Sequence, residues 1–266
     1  MYILIDSGGL GMKTYSVFSM KGGTGKTTTV LTLLSYFSSG AVELFKDVPQ
    51  GKALAVDFDP QESLTLLTGA QAEKTIVDVL TDEADIADCI VKTSYGDVLP
   101  GSQLLVALES QLQGENLIIL RDKLQQLKKK YDYIFIDCQP GVSGLPIAAL
   151  IASDGVVVPA QASLTAMYSL SRLVPALETA RKYNKKLKVD GVLLTMFDGR
   201  TNASKSFLEL AERIAADQLK TKVFETKIRR GVVIEEAAGV GKGLFEVAAK
   251  SNPAIDYANF IKELLG

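Results

Sequence analysis

The run Lys21-Gly22-Gly23-Thr24-Gly25-Lys26-Thr27-Thr28 constrains the fold more than any other feature of the chain. Ahead of it, Tyr15 to Met20 reads as a short strand, and behind it Thr27 to Phe37 reads as an apolar helix. Three glycines between a strand and a helix let backbone N–H groups turn inward around a di- or triphosphate, and the positive end of the helix adds to the anion site. Gly25-Lys26-Thr27 matches the end of the nucleotide-binding pattern G-x-x-x-x-G-K-S/T, but Met20 stands where its first glycine belongs, and Lys21 is a second lysine. In such a loop Lys26 neutralises the β and γ phosphates and the Thr27 hydroxyl ligates Mg²⁺.

The rest of the chain alternates strand-like and helical stretches. Ala53 to Phe58, Tyr133 to Asp137, Gly155 to Pro159 and Val189 to Met196 are rich in Val, Ile and Leu. The pattern predicts an α/β fold, a mostly parallel twisted sheet with helices on both faces, as in phosphate-loop (P-loop) NTPases. Glu115 to Lys130 puts Leu117, Leu120, Leu124 and Leu127 on one helical stripe, and Ser163 to Tyr183 and Ala203 to Leu219 read similarly. Lys128-Lys129-Lys130 closes the first of these helices and complements its dipole. With no repeat or linker, residues 13–266 read as a single domain. Residues 1–12 read as a flexible extension, because Met12-Lys13 could itself be a start, and Ala41 to Gly51 reads as a surface connection.

A chain of 266 residues, 47% apolar, can bury a full core. No apolar run approaches the roughly 18 residues of a membrane span, so a cytoplasmic protein is expected. Cys89 and Cys138 are too few and too ill-spaced for a disulfide framework or a zinc site and read as buried thiols. The absence of histidine excludes histidine-based nucleophile systems and imidazole metal sites. Catalysis must rest on carboxylates, lysines, hydroxyls and Mg²⁺. The net charge of −2 hides an asymmetry, since residues 181–250 hold 15 Lys and Arg against 9 Asp and Glu. That excess is either a footprint for polyanions or a set of solvated helix faces.

Asp57-Phe58-Asp59-Pro60-Gln61 falls at the end of the second main strand, where ligands gather in open parallel sheets, and alternation places Asp57 and Asp59 on one side. Beside a Mg²⁺-triphosphate, one carboxylate can polarise metal-bound water while the other orients the attacking water. Tyr133-Ile-Phe-Ile-Asp137 ends in a single acid after largely apolar residues, as expected of the carboxylate behind the Mg²⁺ water shell. The turn-rich Cys138 to Gly144 is either a γ-phosphate sensor or an ordinary strand-to-helix loop.

Together these segments resemble the ParA group of deviant Walker-motif ATPases, related to MinD. The resemblance runs from about Lys13 to the C-terminus through KGGTGKTTT (Lys21–Thr29), VDFDPQ (Val56–Gln61), YDYIFIDCQPG (Tyr131–Gly141), VVVPAQ (Val156–Gln161) and GVLLTMFDGRTNAS (Gly191–Ser204). It implies a slow, partner-stimulated ATPase that switches plasmid or chromosome segregation. Lys21 would reach across a sandwich homodimer to the partner's phosphates, with Gly22 at the dimer contact. Gly23, Thr24, Gly25, Lys26, Thr27 and Thr28 would hold the nucleotide, Asp59 would be the hydrolytic carboxylate, and Asp57 and Asp137 would support Mg²⁺ and water. The ATP-bound dimer would hold DNA non-specifically on the nucleoid and release it when a ParB-like protein stimulates hydrolysis.

The resemblance places DNA binding toward the C-terminus, at Lys250 and Arg230. The family pattern Y-D-P-R/K-S-K-G-A is written here Val247-Ala-Ala-Lys-Ser-Asn-Pro-Ala254, with Asn252 in place of its second basic residue. Arg229-Arg230-Gly231 stands where the family often has Pro-Arg-Asn near the adenine, and its extra arginine offers charge to a polyanion. Gln139 replaces a commoner proline. Three other readings fit parts of the chain. A MinD-like membrane switch needs a basic amphipathic C-terminal helix, whereas Pro253 to Gly266 carries little positive charge. An iron–sulfur ATPase would pool the cysteines of two subunits. A scaffold-type localisation ATPase would keep the fold without acting on DNA.

Overall fold

A computed structural model describes residues 11–39, Phe45 and 48–266. Residues 1–10 of the expected extension and most of the Ala41–Gly51 connection lie outside the described residues; Met12 packs against the core. The strands are β1 (Lys13–Val17), β2 (Ala53–Phe58), β3 (Val91–Thr93), β4 (Gly96–Leu99), β5 (Tyr133–Cys138), β6 (Gly155–Gln161) and β7 (Lys188–Thr195). They form one sheet in the order β3-β4-β2-β5-β1-β6-β7, parallel except where β3 pairs antiparallel with β4 at the edge.

Strand alternation splits the apolar residues between two cores. Leu54, Val56, Phe58, Ile134, Ile136, Val156, Val158, Val192 and Leu194 face one, under the helices Ile119–Gln125, Gly144–Ile151, Leu164–Ser171 and Val174–Tyr183. Tyr15, Val17, Ala55, Phe135, Val157 and Leu193 face the other, under the helices Lys26–Ser38 and Asn252–Leu265. Both faces are covered, as the near-continuous apolar strands require. The chain leaves β1 toward β2 on one side of the sheet and reaches β6 and β7 on the other. β1 is therefore the switch point, where an open parallel sheet forms its ligand crevice.

Several helices are shorter than periodicity alone predicts. Ser163–Tyr183 breaks into two because Pro175, in the first turn of Val174–Tyr183, lacks the N–H that a continuous helix would need. Asn202–Ile214 passes into a π-helical turn, Ala215–Leu219, that closes at Lys220 with φ 55°. In the 115–130 stretch the leucine stripe is buried as expected, yet only Ile119–Gln125 is α-helical. The lysine triplet thus lies in turns beyond the helix rather than closing it. The β3–β4 hairpin has no counterpart among the sequence expectations, since both strands are short and only half apolar.

Gly191 of β7 shows how closely the second core is packed, because a Cβ there would lie 2.7 Å from the buried Phe224 ring. Overpacking of this kind costs about 1–3 kcal/mol, so Gly191→Ala should lower the melting temperature by roughly 3–8 °C. An unchanged melting curve would contradict the packing.

Candidate nucleotide-binding site

The glycine-rich run leaves β1 as a loop and enters the helix Lys26–Ser38 at Gly25, whose φ of 90° is left-handed; Gly23, with φ 73°, is too. Those two positions need glycine for their backbone. The loop is fastened from outside. Ser19 and Thr24 share a hydroxyl hydrogen bond of 2.7 Å, and the Thr195 hydroxyl donates to the Thr24 carbonyl at 2.8 Å. Gln161 Nε2 donates to the Gly23 carbonyl at 2.6 Å. Among the described residues, no protein acceptor takes the backbone N–H groups from Gly22 to Thr28; the first taken is that of Thr29, by the Gly25 carbonyl at 2.9 Å. A concave row of free donors at a helix start is an anion site.

Three carboxylates lie at the ends of β2 and β5, the strands next to β1 on that side, with different engagements. Register sets Asp57 beside Asp137 on adjacent parallel strands, and both are fully buried. Asp137 has neither oxygen in a hydrogen bond of regular geometry, although Thr27 lies near enough to favour its ionised form, as does the buried Lys26. A buried acid with both oxygens orphaned, next to a hydroxyl and a lysine, fits a Mg²⁺ site with Thr27. Asp57, expected to support Mg²⁺ and water, has both oxygens engaged by protein donors. Its Oδ2 accepts from Thr65 N–H at 2.8 Å and from the Thr65 hydroxyl at 2.7 Å, and its Oδ1 accepts from Asp59 N–H at 3.3 Å. Asp59 follows in a tight turn in which its Oδ1 accepts from Gln61 N–H at 2.9 Å. Sequence reading missed Thr65, whose only signal is its place six residues after Asp59, the third residue of the helix Ser63–Thr68.

Lys21 is half-buried and its Nζ donates to the Thr165 hydroxyl at 3.0 Å, on a helix that exposes Leu164 and Tyr168. A Cβ on Gly22 would meet nothing within 4 Å, so no contact inside one chain demands glycine there. On the other side of Gly25 and Thr28, a cavity of about 110 Å³ is lined by Met196, Ile228, Arg230 and Tyr257. The extra arginine beside it is exposed but paired within the chain. Arg229 grips Asp256 with Nε to Oδ2 at 2.8 Å and Nη2 to Oδ1 at 2.7 Å. This contact packs 229–231 on the first turn of the helix Asn252–Leu265, which brings exposed Arg230 and Lys250 to one corner. In the segment after β5, Gln139 Nε2 donates to Glu109 Oε1 at 2.6 Å and Ser143 Oγ at 2.8 Å. Both cysteines are buried, which leaves neither exposed to bridge a cluster.

Burial, and then the neighbouring Asp57, push Asp137 up to about 8. Burial raises Asp57 to about 6 against the pull of Thr65, and raises Asp190 to about 6. An acid whose folded pKa exceeds its unfolded one binds its proton more tightly when folded, so stability falls as pH rises from about 4 to about 8. The nucleotide-free protein should melt lower at pH 8 than at pH 6. Asp137→Asn, which deletes the buried charge and keeps the shape, should raise the pH 8 melting temperature; a drop would count against the orphaned carboxylate.

A family model described as an AAA domain matches residues 12–189. The sporulation initiation inhibitor protein Soj of Bacillus subtilis is 35% identical over 95% of this chain and 98% of its own length. The chromosome partitioning protein ParA of Myxococcus xanthus is 32% identical over 94% and 86%. A Cyanothece McdA variant, solved as its ATP complex, superposes with a TM-score of 0.82 at 25% identity, over 97% of this chain and 98% of that one. With the loop, the strand-end acids and this agreement along nearly the whole length, the chain belongs to the ParA/MinD family of P-loop ATPases.

Proposed function

We propose that this chain is a Mg²⁺-dependent ATPase switch for DNA segregation: an ATP-bound homodimer holds DNA non-specifically on the nucleoid, and hydrolysis stimulated by a ParB-like partner releases it. The observation that carries the nucleotide part is the free N–H row from Gly22 to Thr28, which includes the buried Lys26 and has the orphaned buried Asp137 near Lys26 and Thr27. Lys26 offsets the β and γ phosphate charge, with Gly23, Thr24, Gly25 and Thr28 shaping the cradle. Thr27 and Asp137 would hold Mg²⁺, which when bound screens the charge that builds on the phosphates. Asp59 keeps Oδ2 outside its turn's hydrogen bonds and orients the attacking water.

Lys21 serves the neighbour's nucleotide, so neither subunit alone has a full site. Gly22, exposed and without intrachain need for glycine, is where a partner backbone would approach. The exposed Leu164 and Tyr168 beside Thr165 give that contact apolar area. The ATP state is favoured because its γ-phosphate binds two chains at once, and cleavage removes that preference.

Arg230 and Lys250, exposed at one corner, are the DNA contacts. Against a membrane switch, the helix Asn252–Leu265 buries Tyr257, Phe260 and Ile261 in the core.

Lys26→Ala should abolish ATP binding in an equilibrium titration, whereas unchanged affinity would refute the loop assignment. Asp59→Ala should bind ATP yet stay dimeric in size-exclusion chromatography, with hydrolysis down by about 100-fold or more. A variant that turns over normally would remove Asp59 from the chemistry. Lys250→Glu, outside the cavity lining, should weaken ATP-dependent DNA retention and flatten its salt dependence while leaving dimerisation intact, and Arg230→Glu should weaken retention further. Retention equal to wild type would place the DNA surface elsewhere, and no ATP-dependent retention by the wild type would favour a switch that positions protein cargo.

A further inference from the structure

We propose that Thr65 is a positioning residue for hydrolysis, acting through Asp57 on the turn that carries Asp59. The inference rests on the reading of Asp59 as the group that orients the attacking water. Thr65 lies in the short helix Ser63–Thr68 and is buried. Its backbone N–H and its hydroxyl both donate to Asp57 Oδ2, at 2.8 and 2.7 Å. The same hydroxyl oxygen accepts the Gly101 N–H at 2.8 Å. The single hydroxyl proton is thus committed to Asp57, and the direction of both bonds follows. Asp57 Oδ1 in turn receives the Asp59 N–H at 3.3 Å.

A continuous path therefore runs from the segment after β4, through Thr65 and Asp57, to the backbone of Asp59. Sterics hold it in place. A Cβ on Gly101 would lie 2.9 Å from Asp57 Cγ, so the backbone lies flush on the carboxylate and leaves it no second rotamer on that side. The contrast with Asp137 gives the arrangement its meaning. Of two buried acids in matching register, the protein satisfies one and leaves the other's oxygens without partners. Asp57 is used as an internal strut that sets the position of Asp59. Thr65 is what makes it one, because two of the three bonds to Asp57 come from that residue.

The test compares Thr65→Val and Thr65→Ser with Asp59→Ala in the full chain, measuring ATP affinity and steady-state hydrolysis with Mg²⁺. Valine keeps the shape and loses the hydroxyl; serine keeps both bonds. Thr65→Val should hold the ATP dissociation constant and KM within about threefold while lowering kcat by roughly 10- to 100-fold, and Thr65→Ser should restore kcat to within about threefold. Thr65→Ala, less crowded at Cβ, replaces the valine variant if that one does not fold. Wild-type kcat in Thr65→Val or Thr65→Ala, with Asp59→Ala inactive, overturns the inference alone. So does a loss of ATP affinity as large as the loss of kcat, which would mark a strut for the fold only. A Thr65→Ser enzyme below about a tenth of wild-type kcat overturns it as well. Normal hydrolysis by Asp59→Ala is a different result, and removes the reading beneath it.

Discussion

Asp57 and Asp137 stand side by side on neighbouring parallel strands, and two like charges buried at that separation oppose folding unless each meets something that favours it. The protein answers the problem unequally. Thr65 and the backbone of Asp59 satisfy Asp57, while Asp137 has only the proximity of Thr27 and Lys26. An acid left in that condition favours either a proton or a ligand that brings compensating charge. Binding and stability are then linked, since a ligand that prefers the folded state stabilises it by mass action.

The loop opposite these acids shows the same division between what is held and what is left open. Ser19, just beyond β1, and Gln161 and Thr195, the last residues of β6 and β7, hold its shape through hydrogen bonds to Gly23 and Thr24. Its N–H groups from Gly22 to Thr28 meet no protein acceptor among the described residues. Pre-organisation of this sort reduces the ordering cost of binding. The parallel sheet makes it possible, because every strand from β2 to β7 that contributes a group ends on the same side as β1.

The C-terminal helix has a part in this geometry that its distance in sequence conceals. Tyr257 lines the cavity beside Gly25 and lies 3.3 Å from the Thr29 hydroxyl on the loop helix. Asp256 immobilises Arg229 through a forked pair, which shapes the 228–231 edge of the same cavity. A helix so used has its apolar face committed to the core. Arg230 itself lines that cavity and is exposed, and Lys250 lies just ahead of the same helix, so the basic corner and the cavity share a residue.

The sequence by itself determined the five parallel strands from β1 to β7 other than the β3–β4 hairpin, the loop and the two acids near the ends of β2 and β5, because these are written in local pattern: apolar runs, glycines between strand and helix, a lone acid after apolar residues. It also located the leucine stripe of 117–127, while overestimating the helix that carries it, since periodicity reports a buried face and is silent on where hydrogen bonding stops. Pro175 was a legible stop that the apolar pattern around it masked. What only the tertiary structure decided are the partnerships of charged groups. Asp57 and Asp137 look alike in sequence, and Arg229 looks as available as Arg230. Residues 8 and 27 positions away engage one of each pair and leave the other open. Hydrogen bonds form between groups that folding brings together, so the identity of a partner is a property of the packed chain and has no local signature.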